Sequence, residues 1–379
     1  MGYNDRMKVA VVAPASSSWG FDAYVGGLNE ALRARVELDM VRLPVEQLEV
    51  AGPELAERLN AAQVVHIHHA HDAWGGPEQC RRLFWRLRYL IGRPVAVTAH
   101  STAPYAELCF APESRAARAT RALLGLRPAH RQAFDAAPFV TGRSIVHTAA
   151  ERDELIARGA VSAHVHVVRP GCPPTRPEDR STPSADGATL CLFETLRDAD
   201  SPFLNAVARA LPAGLRLVLA GDAARAAGRP GRALGHGGVT VEVGAGAATP
   251  AADAAIFVDA RARSPHALMA ALASGMPVVA PAGPLFRETH ADARCLRLFR
   301  PGDAAHAAAT ILGVLHNPAG RAEMSGRGPT YAAAHPWSAA AEATTGVYEL
   351  LLADFPHHAP RGVGGRPEPA APARDGASG

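Results

Sequence analysis

Residues 264–280, Ser-Pro-His-Ala-Leu-Met-Ala-Ala-Leu-Ala-Ser-Gly-Met-Pro-Val-Val-Ala, constrain the fold more than any other stretch of this chain. Ser264 is a good N-cap, and Pro265 suits the first helical position, where its missing N–H costs nothing. Gly275 fits the left-handed residue just past a helix end, and Pro277 stops the helix from resuming. Val278, Val279 and Ala280 then form an apolar run suited to a parallel strand covered on both faces. A helix that starts at the edge of such a sheet attracts anions, because its first N–H groups lack acceptors and carry the positive end of the dipole.

The same rhythm runs through the chain. Apolar runs predict strands at Lys8–Ala13, Glu37–Leu43, Val64–Ile67, Val95–Thr98, Ser144–Val146 and His164–Val168. Helical patterns lie between them, at about Phe21–Ala34, Pro53–Asn60, Glu78–Ile91, Glu113–Ala136 and Ala149–Arg158. A stretch crowded with Pro170, Gly171, Pro173, Pro174, Pro177, Pro183 and Gly187 then reads as a linker. The rhythm restarts with Thr189–Phe193, a helix over Ser201–Leu211, then Leu215–Ala220, Val239–Val243 and Ala255–Val258, before the 264–280 segment. Beyond it come Cys295–Phe299, a helix at Asp303–His316, another after Asn317-Pro318, and a last one from Trp337 to Leu352. That last helix repeats Trp337, Ala341, Thr344, Val347/Tyr348 and Leu351 along one stripe. Alternating strands and helices of this kind predict an α/β protein with two doubly wound, Rossmann-like domains. Their ligands belong in a cleft beyond the carboxyl ends of the strands.

With 379 residues, the chain is long enough for two such domains, and 48% hydrophobic residues suit a globular body. A net charge of +3 implies no general affinity for polyanions, so nucleic acid is not an expected partner. Lys8 is the only lysine, a bias that fits a GC-rich, bacterial genome. Cys80, Cys109, Cys172, Cys191 and Cys295 are scattered without a Cys-x-x-Cys pair, which favours a reducing, cytoplasmic setting over zinc or disulfides. No membrane span is expected, and the apolar run Val9–Ala13 is too short for a signal peptide.

Several pieces in order resemble the GT-B glycosyltransferases, in particular the retaining group called family 4, over most of residues 7–352. They are Met7-Lys-Val-Ala-Val-Val-Ala-Pro, Val64-Val-His-Ile-His-His69, Val97-Thr-Ala-His100, and Ser144-Ile-Val-His-Thr-Ala-Ala-Glu-Arg-Asp-Glu-Leu155. Val167-Val-Arg-Pro-Gly171, Arg300-Pro-Gly-Asp303 and Trp337–Leu352 complete the set. The resemblance implies an acceptor domain over 1–170 and a nucleotide-sugar donor domain over 171–336. A helix over 337–355 would cross back to the first domain, and 356–379 is expected to be a disordered tail.

What the resemblance implies about the site comes residue by residue. Gly20, at the mouth of the first helix, matches the family's phosphate-loop glycine; Gly26 and Gly27 are then expected to permit close packing. Ser264, His266, Ala267 and Leu268 open the donor-side helix, and Arg197 is the expected diphosphate clamp. His266 either meets the anion or is simply exposed. Glu288 stands where relatives carry a glutamate, on the donor side, where it binds donor or caps and orients a loop. His100, after a buried strand, is the candidate catalytic residue, against a plain strand-end histidine bonded to backbone. His68 and His69 are expected on the acceptor side. Although His66, His68, His69 and His71 crowd together, no metal is expected, since cysteine and carboxylate partners are lacking apart from Asp72.

Two departures stand out. Ala262 and Ala270 occupy the positions of the family's paired glutamates, and the clamp lysine has no counterpart. The expected activity is metal-independent transfer of a sugar, with retention, from a nucleotide-diphosphate sugar to the hydroxyl of a small-molecule or glycan acceptor. No cofactor is needed beyond that co-substrate. The alternative is a degenerate, non-catalytic GT-B protein that binds a glycosyl ligand or supports a partner transferase. A nucleotide-sugar epimerase is a third reading, though the inward carboxylates such enzymes lean on have no matching set here.

Overall fold

The computed structural model describes residues 6–15, 19–44, 52–70, 87, 90–102, 142–173, 188–192, 201–220, 239–243, 252–260 and 265–355. Within them the chain builds two parallel sheets. The first contains β1 (Lys8–Pro14), β2 (Glu37–Leu43), β3 (Val64–His69), β4 (Val95–Ala99), β5 (Arg143–Val146) and β6 (Val165–Val167), in the order β2-β1-β3-β4-β5-β6. The second contains β7 (Thr189–Leu192), β8 (Arg216–Leu219), β9 (Thr240–Val243), β10 (Ala254–Ile256), β11 (Val278–Pro281) and β12 (Leu296–Phe299), in the order β12-β11-β10-β7-β8-β9.

Both sheets are buried on both faces, which is why their strands read as continuous apolar runs. In β1, Val9, Val11 and Ala13 pack into one core, while Ala10 and Val12 pack into another on the opposite face. The first of these cores is covered by α1 (Trp19–Leu32) through Phe21, Tyr24, Val25 and Leu28. The second sheet likewise separates two cores, with Cys191 on one side of β7 and Leu190 and Leu192 on the other.

Strand order reverses once in each sheet, between β1 and β3 and between β7 and β10. Crevices that hold ligands open at such switch points, beyond the carboxyl ends of the strands. The residues following β1, β3, β7 and β10 are therefore the ones the topology sets aside for binding.

The remaining helices are α2 (Pro53–Asn60), α3 (Ala149–Ala157), α4 (Ser201–Ala210), α5 (Pro265–Ala273), α6 (Pro284–Ala293), α7 (Ala304–Leu315), α8 (Pro318–Ala334) and α9 (Trp337–Asp354). Helix α9 crosses back onto the first sheet, where Ala341, Thr344, Val347, Tyr348 and Leu351 are buried as their stripe predicts. Its approach is fixed where the Cys172 N–H donates to the His335 carbonyl at 2.7 Å. Helix α5 ends as its sequence announced. Gly275 adopts φ +73°, its N–H donates to the Leu272 carbonyl, and that of Met276 donates to Ala271, both at 3.0 Å, a Schellman closure.

Some expectations need adjusting. Helix α6 was not foreseen, because it is short and polar and starts on Gly283 with no side-chain cap. The strand expected from His164 starts at Val165, after a short 3₁₀ turn over Ser162–His164. Gly26 meets nothing within 4 Å, so close packing explains Gly27 alone. The expected helix Glu113–Ala136, nearly all of Glu78–Ile91, and the tail 356–379 lie outside the described residues. Among the described residues, no helix is long and apolar enough to cross a membrane.

Candidate functional site

The donor-side helix is a core helix. In α5, Ala267, Leu268, Met269, Ala271 and Leu272 are fully buried, so the side chains of Ala267 and Leu268 serve packing. The helix starts after β10, beside the switch point of the second sheet. His266 is neither exposed nor a cation. It is 8% exposed, its ring stacks on Trp337 with centroids 6.2 Å apart, and burial pushes its pKa down to about 4. Ser264 and Arg197 lie outside the described residues. Gly20 is the second residue of α1.

Across from α5, the first sheet presents a buried set of histidines. His66 and His68 alternate on β3, His69 ends it, His100 follows β4 and His147 follows β5; all are at most 3% exposed. His66 is held on both sides, at 2.7 Å from the Tyr348 hydroxyl of α9 and 2.7 Å from Thr98 Oγ1. Both of its nitrogens are thereby used, which removes it as a metal ligand. His68 Nδ1 and His100 Nε2 lie 3.0 Å apart and share one proton. The His100 backbone N–H donates to the His69 carbonyl at 2.9 Å.

Three further polar atoms in this cluster stand out. His100 Nδ1, His147 Nε2 and the Tyr24 hydroxyl are buried and make no hydrogen bond among the described residues. Their rings touch: Tyr24 lies 4.7 Å from His100 and 5.0 Å from His147 between centroids. Unpaired buried polar groups are costly, and they mark positions where a ligand or water completes the bonding.

Burial dictates the charge of the set. It lowers the pKa of His66 to about 3 and of His147 to about 4, the latter opposed by a bond to the Val168 carbonyl. His68 and His100 are pushed well below the usual range, first by burial and then by neighbouring histidines. All four rings are neutral at pH 7, so His100 can offer a lone pair or an N–H but no positive charge. Glu151, half-buried at the same junction, is pushed up to about 7 by desolvation, against bonds from the His147 and Thr148 amides.

Glu288 is placed apart from these groups. Its carboxylate accepts the Ala149 and Ala150 amides, at 3.2 and 3.1 Å, at the start of α3. It therefore joins the second sheet's helices to the first sheet's.

No protein-family model matches the sequence, and no curated protein matches it either. Solved structures do match, over nearly the whole chain. A sucrose-phosphate synthase from Thermosynechococcus elongatus aligns at a TM-score of 0.65 and 18% identity, covering 92% of this chain and 100% of that one. HepE from Anabaena, solved in complex with UDP-glucose, aligns at 0.62 and 13%, covering 92% and 100%. WaaG, a glycosyltransferase involved in lipopolysaccharide biosynthesis, aligns at 0.54 and 14%, covering 90% and 99%. The fold of this chain is GT-B.

In GT-B terms, α5 belongs to one half of the molecule and the histidines to the other, and α1 reaches between them. Tyr24 of α1 meets Trp337 edge-on at 5.3 Å, and Trp337 stacks on His266, which links the two halves through aromatic rings. Sequence reasoning singled out His68, His69, His100 and His266 but gave no site role to Tyr24, His147, Glu151, Tyr348 or Trp337. One signal was available: Thr148-Ala-Ala-Glu151 has capping-box spacing, and the reciprocal bonds are both formed. That box marks the strand–helix junction where His147 sits.

Proposed function

We propose that this GT-B protein transfers a sugar from a nucleotide-diphosphate sugar to an acceptor hydroxyl, with retention of configuration and without a metal. The observation that carries the reading is the position of the N-terminus of α5, which follows β10 beside the β7–β10 switch point. The neighbour HepE, which was solved with UDP-glucose, lends support from outside the chain.

This reading assigns the roles as follows. Amides of His266, Ala267 and Leu268, with Ser264 at the cap and Gly20 in the first turn of α1, cradle the diphosphate. Arg197 adds the positive charge that neutral His266 cannot. Such preorganised donors stabilise a departing diphosphate as charge develops on it. His100 binds a hydroxyl of the donor sugar through Nδ1, as a neutral hydrogen-bonding group. His68 and His69 buttress it toward the acceptor side. In the transfer, the bond between the anomeric carbon and the phosphate oxygen breaks. The acceptor oxygen bonds to that carbon on the same face, and its proton passes to the departing phosphate oxygen.

Calorimetry with UDP, GDP and their sugars tests the first half of this reading. Binding of at least one nucleotide in the micromolar range is expected, followed by release of nucleoside diphosphate from the matching sugar nucleotide. Binding without turnover over a broad acceptor panel would favour the non-catalytic alternative. If no nucleotide binds at all, the reading fails.

A further inference from the structure

We propose that Glu288 is a latch between the two halves of the molecule, and that it positions the junction carrying His147. The argument is an accounting of amides at the start of α3. A helix leaves its first four N–H groups without helical acceptors. Here Glu151 N–H donates to Thr148 Oγ1 at 3.0 Å and Arg152 N–H to the Thr148 carbonyl at 3.1 Å. The amides just before the helix, of His147 and Thr148, donate to the Glu151 carboxylate at 2.9 and 3.0 Å. Among the described residues, the amides of Ala149 and Ala150 are the ones left without an acceptor in their own half, and each donates to one oxygen of Glu288. A carboxylate there also meets the positive end of the helix dipole.

The mounting on the other side is rigid. Helix α6 is anchored by Leu285, Phe286 and Thr289, all buried, with Phe286 against Phe257 at 5.3 Å between centroids. One turn beyond Glu288, Asp292 pairs with Arg169 at 2.8 Å, in the segment that leaves the first sheet. Arg169 also lies 3.9 Å from Glu288. One face of α6 thus grips both the start of α3 and the crossover. Because His147 directly precedes Thr148, the latch holds the junction that seats the His147 ring beside His100, 5.6 Å away between centroids. Releasing it removes the bonds that tie α6 to the start of α3.

Amide-resolved hydrogen exchange on the full-length protein without nucleotide tests this, whatever the protein catalyses. In Glu288→Ala, the amides of Ala149 and Ala150 exchange at least tenfold faster. Those of Glu151 and Arg152, bonded within their own half, keep the wild-type rate. Arg287→Ala, an exposed neighbour on the same helix, serves as control and leaves all four unchanged. Glu288→Gln, with one acceptor oxygen in place of two, falls between. Equal rates in wild type and Glu288→Ala overturn the latch, as does an acceleration that Glu151 and Arg152 share.

Discussion

The indole of Trp337 fills the space that a Cβ on Gly27 would occupy. The same ring also overlaps the Cβ position of Gly171, so it is seated between α1 and the crossover by two residues that have no side chain. Gly26, next along α1, faces open space.

Adjacent glycines in one helix should therefore respond to alanine with opposite signs. Gly26→Ala gains helix propensity of about 1 kcal/mol with no contact to disturb, and should raise stability by up to that amount. Gly27→Ala gains the same propensity but drives into Trp337, and overpacking of this kind costs about 1–3 kcal/mol. Denaturant melts of the two variants decide it. Two stabilised proteins, or two destabilised ones, would contradict the packing argument.

Asp253 does two jobs at the base of the second sheet. Its Oδ2 accepts the Thr189 amide at 2.9 Å, and its Oδ1 pairs with Arg321 at 3.0 Å, with an aspartate side chain only 6% exposed. Removing one partner of a buried pair strands the other, at about 3–5 kcal/mol when burial is complete. Arg321 is a quarter exposed and can reach water, so about 2–3 kcal/mol is expected for Asp253→Ala. Asp253→Asn keeps an acceptor for Thr189 and should lose about half as much. A melt showing equal losses for the two variants would mean that the amide bond contributes nothing.

Acid should destabilise the fold steeply. His66, His68, His100, His147 and His266 all have folded-state pKa values below the ordinary histidine range through burial. Below pH 6.5 the unfolded chain binds protons at these residues and the folded chain does not, so stability falls with pH, down to about pH 4 for His147 and His266. Each should contribute a loss of about 1 kcal/mol between pH 6.5 and 5.5. Glu151 has the opposite sign. Its folded pKa of about 7 lies above its unfolded value, so the folded state takes up the proton first and gains stability as pH falls from about 7. Glu151→Gln keeps the acceptor but removes that gain, and should deepen the acid loss by about 1 kcal/mol. Melts at pH 7.5 and 5.5 measure both effects; a wild-type midpoint unchanged between them would refute the neutral-histidine assignment.

How far the sequence carries the fold can be seen in particular residues. Val9–Ala13 and Val278–Ala280 read as strands because a sheet covered on both faces needs apolar residues at successive positions, and that pattern is local. Pro265 and Gly275-Met-Pro277 mark both ends of α5 because end signals are local too. Helix α6 escaped notice because it is mounted by contacts to Phe257 and β12, and not by its own pattern. The site is less legible for the same reason. Spacing puts His66 and His68 on one strand face, but the hydroxyl that fixes His66 comes from Tyr348, 282 residues later. His266 could be expected at the surface until Trp337 is brought across it by the return of α9. Glu288 could be placed in the sequence, whereas its partners, two backbone amides in the other half, carry no side-chain signature.

Neutral His266 has a direct consequence for donor binding. If the anion is held by α5 amides and not by an imidazolium, the Kd for a sugar nucleotide should stay flat from pH 8 to pH 6. A pKa of about 4 keeps the ring uncharged throughout that window. A cationic histidine titrating near its ordinary value would instead tighten binding severalfold over the same interval. A sugar nucleotide is the proper probe, since its diphosphate has no terminal group that titrates in this range. Substitution should agree: His266→Phe preserves the stack on Trp337 and should shift Kd by less than about threefold, well under 1 kcal/mol. His266→Ala opens a cavity against the indole and should weaken binding further by loosening the first turn of α5. Calorimetry at three pH values, on wild type and both variants, reads all of these. A Kd that tightens tenfold by pH 6 in the wild type and stays flat in His266→Phe would put the charge back on the imidazole and take the anion away from the amides.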